Sequence, residues 1–421
     1  MKKENGFYCC IKLAKSHLRL GGMVDRSYLS VCCEKNRGIS NPEIKFTGNP
    51  EEAIDQYLDM RDKAIAEGFL PLDDEGRELT KGCIHCKYYE FRDWRLDSSI
   101  NYISLTPYPS PCQAKCIYCG VLAQDYTSPD AFNEEGVAQK YDNYFAMIDY
   151  LFRKGIVSKD VRWSIGSGEI TVHPLKKRFY NLIGNSACDF FTNCFKYDET
   201  IANNLKKNPK SSLSFSIDAG TPEAWHKVKG FNNFETAVGN LSKYCKKASS
   251  TEQIRLRYIV LPGINDDLDD FLSIAKIMNL NNLKNITLSF DFKYARKKEN
   301  TPTKQYEALM FGTAMFCYLL DKHNLTYKLP YFTRDELALN NLLMSSKELA
   351  QTKEKPKKST NTKEKPKESI NAKEIQKELA ITNEELRKAK VRIKAIETSM
   401  SWRITKPLRI IAASLRKIRF R

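Results

Sequence analysis

The chain has 421 residues, 42% hydrophobic and 11% aromatic, enough for one large domain with additions or for two to three domains. Its net charge of +17 is uneven: residues 351–421 hold 21 Lys+Arg against 8 Asp+Glu, and the first 350 residues hold 47 against 43. A nearly balanced body argues against a nucleic-acid footprint. No run of about 18 apolar residues reads as a membrane span, and residues 1–20 lack a secretory h-region, so a cytoplasmic protein is expected.

In chain order, residues 1–98 read as a cysteine-rich extension with one helical stretch at 50–66. It carries Cys9, Cys10, Cys32, Cys33, Cys83 and Cys86. From residue 99 the pattern predicts strands at 102–106, 161–165, 188–192, 213–218, 254–261 and 286–292. Helices are predicted between and after them at 137–153, 198–206, 233–246, 268–278 and 304–322. Parallel strands need crossover helices, so this alternation predicts an α/β fold, a partial (β/α)6 TIM-like barrel spanning 99–335. A charged linker is expected at 336–372, where the Lys/Pro-rich segment 352–357 recurs at 362–367. Leu379, Leu386, Ile393 and Met400 then recur every seventh residue, which predicts a coiled-coil-like helix at 373–400; a lone charged helix is the alternative. Residues 401–421 carry seven basic and no acidic side chains among apolar ones. Such a tail suits an anionic membrane surface, at the cytoplasmic face, or a helix partner.

The chemistry concentrates in one loop after the first core strand, Pro111-Cys112-Gln113-Ala114-Lys115-Cys116-Ile117-Tyr118-Cys119. Clustered cysteines in a large chain of this kind read as metal ligands rather than disulfides. Structural zinc wants four protein ligands, and this loop offers three. Three thiolates on a four-iron cluster leave one iron open to chemistry. The isolated Cys188, Cys194, Cys245 and Cys317 read as buried thiols.

The spacing Cys112-x3-Cys116-x2-Cys119, with Tyr118 as the aromatic, resembles the radical S-adenosylmethionine superfamily. The resemblance implies a [4Fe-4S] cluster whose open iron chelates S-adenosylmethionine. It implies one-electron cleavage of that cofactor, hydrogen abstraction from substrate by the 5′-deoxyadenosyl radical, and a reductant such as flavodoxin or ferredoxin. Further segments match in order. Gly166-Ser167-Gly168-Glu169 looks like the segment that binds the cofactor's amino group, with Ser167 in place of a usual Gly. Ser216-Ile217-Asp218 is similar to the stretch in which Ser216 reaches the ribose or carboxylate; Asp218 alternatively starts the turn into the next helix or points at substrate. Val260 and Leu261 resemble the adenine-contacting segment. Asp291 or Lys293 faces substrate on this reading, and no catalytic residue is assigned.

The N-terminal cysteines look like an auxiliary-cluster extension of the SPASM or Twitch kind, implying a second iron–sulfur cluster; structural zinc is the alternative. Residues 398–409 resemble a tail motif found in enzymes of bacterial surface-polysaccharide loci, which implies a sugar or other glycan substrate undergoing oxidation or epimerisation. Two rivals stay open at this point: a peptide- or protein-modifying enzyme, and a non-catalytic zinc or iron–sulfur scaffold.

Overall fold

The computed structural model describes residues 7–10, 17–22, 27–30, 44–46, 48–67, 89–92, 99–106, 110–119, 137–166, 168–291 and 303–330. The expected linker, heptad helix and basic tail lie outside them, as do Ser167, Lys293, Cys32, Cys33, Cys83 and Cys86. The amino-terminal strands are β1 (Phe7–Cys10), β2 (His17–Gly22), β3 (Ser27–Ser30), β4 (Ile44–Lys45) and β5 (Tyr89–Arg92), with helix α1 (Pro50–Glu67) before β5. The core then alternates. It runs β6 (Ile100–Thr106), α2 (Val137–Arg153), β7 (Val157–Ile165), α3 (Lys176–Ile183), β8 (Cys188–Thr192), α4 (Glu199–Lys207) and β9 (Ser212–Ser216). It continues with α5 (Pro222–Lys229), α6 (Phe234–Lys247), β10 (Ile254–Val260), α7 (Leu268–Leu280), β11 (Asn285–Phe290), α8 (Thr303–Lys322) and β12 (Thr326–Lys328).

The fold is α/β with a mostly parallel sheet. Strands β6 to β12 lie side by side in chain order, all parallel. The sheet is open, and it is wider than the six units expected. β12 adds a seventh consecutive parallel strand, and β2 pairs parallel with β6, carrying antiparallel β3 and β4 to the far edge. Part of the cysteine-rich extension thus continues the core sheet, while β1 and β5 form a separate antiparallel ladder. Boundaries shift for local reasons. The predicted helix at 198 starts at Glu199 because the Asp198 side chain caps it, accepting from the Thr200 and Ile201 amides. The predicted strand to 218 stops at Ser216, since Asp218 takes φ +42. Among the described residues no helix is long and apolar enough to cross a membrane.

Alternation along the strands separates two faces. Ile103, Trp163, Phe190, Phe215, Leu256 and Leu288 point one way, at most 1% exposed, into the core beneath the helices. Ser104, Arg162, Asp189, Ser214, Arg257 and Thr287 point the other way, and several are half-exposed or exposed. A parallel sheet covered on both faces by apolar layers carries apolar residues on both. This one keeps a polar face. On it Asp189 accepts from Tyr102, Arg162 and Ser212; burial would raise its carboxyl, but Arg162, Ser212 and Arg255 together hold it below the usual range.

Candidate functional site

The three-cysteine loop follows β6 at the carboxyl ends of the parallel strands, where active sites of such folds gather. Cys112, Cys116 and Cys119 are free and partly exposed. Burial pushes the Cys112 thiol up to about 12 and raises Cys116, so loading a metal there releases protons. Among the described residues, no three His, Cys, Asp or Glu side chains meet as ligands of a single ion. A structural zinc draws its ligands to one point, whereas a cluster gives each thiolate its own iron. Three thiols in one loop are the donor set that a cluster with one open corner would take.

Successive strand ends hold the loop. After β7, Gly168 adopts φ +58, and a Cβ there would lie 2.4 Å from the Ser110 hydroxyl oxygen, so only glycine fits. Beside it the Glu169 amide donates to the Pro111 carbonyl at 2.8 Å. The Glu169 carboxylate is 1% exposed and turned inward. It accepts from the Thr171 amide and hydroxyl, the Thr192 hydroxyl and the Asn193 amide, and burial still raises its pKa. After β8, the Asn193 side chain donates to the Cys112 sulfur at 3.6 Å and accepts from Gln113 at 3.3 Å. One chain of bonds thus runs from Glu169 through Asn193 to a cysteine.

After β9, Asp218 is fully buried. Its carboxylate accepts from the Ile259 amide at 2.7 Å, from the Tyr118 hydroxyl and from Lys229. The Lys229 ammonium also donates to the Tyr118 hydroxyl at 2.7 Å. Burial alone would lower its pKa, but the Asp218 charge and hydrogen bond together with the neighbouring cysteines raise it; burial lifts the Tyr118 hydroxyl well above its ordinary value. The main chain completes the clamp. Lys115 and Ile117 amides donate to the Lys229 and Val228 carbonyls at the end of α5. Gly230 caps that helix at φ +74, leaving room for Lys115.

Sequence reasoning thus named residues that converge on the loop: Tyr118, Gly168, Glu169 and Asp218. Gly166 donates to Leu105 and extends the β6–β7 pairing, and Ser216 pairs in register with Arg257 on the polar face. Val260 and Leu261 are buried. Leu261 donates its amide to the Asn265 side chain and accepts through its carbonyl from Ile264 and Asn265. Asp291 follows β11 and is 8% exposed. Cys188, Cys194, Cys245 and Cys317 are buried thiols, as expected. Asn193 and Lys229 escaped notice. Asn193 directly follows a predicted strand, a position that should have drawn attention. Lys229 looks like any basic residue in a last helical turn.

No family model matches this sequence, and no curated protein does. Among solved structures, the chain is similar to SuiB of Streptococcus suis bound to precursor peptide SuiA, at 12% identity and TM-score 0.37, covering 82% of this chain and 74% of that one. SuiB bound to S-adenosylmethionine aligns at 13% identity and TM-score 0.33, over 83% and 70% of the two chains. A radical SAM methyltransferase from Sphaerobacter thermophilus aligns at 10% identity and TM-score 0.33, over 52% and 63%. Similarity this low assigns no role to any residue here.

Proposed function

We propose that the chain is a radical S-adenosylmethionine enzyme, with its core at 99–335 and Cys112, Cys116 and Cys119 as ligands of a [4Fe-4S] cluster. The observation that carries this is convergence: the ends of β7, β8 and β9 each send a bond to the three-cysteine loop, through Glu169, Asn193 and Asp218. A zinc scaffold has no need of that convergence at strand ends. The bound cluster and S-adenosylmethionine together supply a carbon radical when one electron arrives from a ferredoxin or flavodoxin. The protein's share is to fix the loop, leave one corner unligated and present a binding face. On this reading Gly166, Gly168 and Ser216 would contact the cofactor by close backbone approach and a hydroxyl, while the Glu169 carboxylate, turned inward, and the buried Val260 and Leu261 would support that surface from behind. The polar sheet face with Arg162 and Arg257 suits a hydrophilic substrate. Nothing in the site favours the expected sugar over a peptide, so the proposal covers a polar substrate of either class. Anaerobic reconstitution followed by assay for 5′-deoxyadenosine tests it.

A second cluster on the amino-terminal cysteines has one supporting observation. In the β1–β5 ladder Cys10 lies opposite Tyr89 and Cys9 opposite Glu90. Cys86 precedes Tyr89 by three residues in the sequence.

A further inference from the structure

Lys229 is the last residue of α5, a place where a lysine ordinarily reaches water. Here its side chain is 1% exposed, paired with an Asp218 carboxylate that is 0% exposed. Burying such a pair costs desolvation that attraction often fails to repay, so stability alone gives little reason for it. The pair is also directional. Asp218 is fixed on the strand side: its carboxylate accepts from Ile259, its carbonyl accepts from Asn265 at 2.8 Å, and its backbone holds a left-handed φ of +42. Lys229 stands on the loop side. Its ammonium lies 5.2 Å from the centre of the Tyr118 ring and 5.6 Å from that of Trp225, and its carbonyl accepts from Lys115.

We infer that Lys229 is a positioning residue whose ammonium, aimed by Asp218 and Tyr118, offsets the negative charge of the cluster and raises its reduction potential. This rests on the cluster reading above. Cluster potentials follow local charge and hydrogen bonding, and a fixed cation favours the reduced form. The cation is tied to the loop itself: its ammonium bonds the Tyr118 hydroxyl and its carbonyl accepts the Lys115 amide. No motif contains this lysine; the fold alone delivers it.

The test is the midpoint potential of the cluster in the anaerobically reconstituted full chain, titrated with dithionite as electron donor and followed by absorbance and electron paramagnetic resonance. Lys229→Met is expected to shift the potential to more negative values, Asp218→Asn to more positive values, and Lys229→Arg to stay near wild type. Opposite signs are the mark of charge. Shifts of one sign in both, or of neither, mean a structural role and overturn the inference. Removing one partner of a buried pair is destabilising. If Lys229→Met holds no iron, Asp218→Asn decides alone: a positive shift supports the inference, and an unchanged or negative one overturns it. Wild-type chain that takes up no iron overturns the cluster reading as well, before any variant is compared.

Discussion

Gly168 and His173 bracket the turn that anchors the cysteine loop. A methyl group at Gly168 would meet Ser110 side-chain and backbone atoms at 2.4–2.7 Å, on a backbone at φ +58. Gly168→Ala should therefore cost about 1–3 kcal/mol from the left-handed backbone alone. It should also displace the Pro111–Glu169 bond, so both the urea midpoint and the iron bound per chain should fall. His173 is 3% exposed, and burial depresses it to about 4. Its Nδ1 accepts the Leu175 amide, and its Nε2 stands 3.0 Å from the Tyr141 hydroxyl. Protonating Nδ1 breaks the first bond. The folded pKa lies below the unfolded value of about 6.5, so this contribution is complete above pH 6.5 and lost as pH falls through 4. The loss amounts to roughly 3 kcal/mol. Urea unfolding across that window should show wild type losing stability relative to His173→Gln; a constant difference would contradict the assignment.

At the scale of elements, α5 links strand chemistry to the loop. Thr221 caps it, accepting from the Ala224 amide and donating to Asp270. Thr221→Ala should destabilise the chain by about 1 kcal/mol and loosen the Val228–Lys229 clamp, read as faster iron loss to a chelator. The core strands were legible because each alternates apolar and polar residues, as in Leu213-Ser214-Phe215-Ser216 and Ile254-Arg255-Leu256-Arg257. The edge strands β2 to β4 were not. They span two to six residues, too short for a period to register, and their partners come from distant sequence. α3 and α5, eight residues each, fall below the same threshold. Within the site, motif residues were legible and their orientations were not. Asp218 read equally as ligand contact or turn, and its inward-facing carboxylate depends on Lys229, Tyr118 and the Ile259 amide, all from other segments. The inward turn of Glu169 likewise depends on Thr192 and Asn193 from the next strand.

At the scale of the whole molecule, one sheet carries an apolar face into the helices and a polar face outward, with the cysteine loop at its carboxyl edge. The amino-terminal cysteines, proposed above as a second set of ligands, include Cys9 and Cys10 of the β1–β5 ladder. Replacing Cys112, Cys116 and Cys119 by Ala should leave about four irons per chain on that set; a variant free of iron would remove the second cluster from the account. The central claim, that the loop starts a radical, is tested most directly by product analysis. Reconstituted, dithionite-reduced wild type should convert S-adenosylmethionine to 5′-deoxyadenosine, and the triple Ala variant should form none. A colourless, zinc-loaded wild type without turnover, or a triple variant as active as wild type, would contradict it.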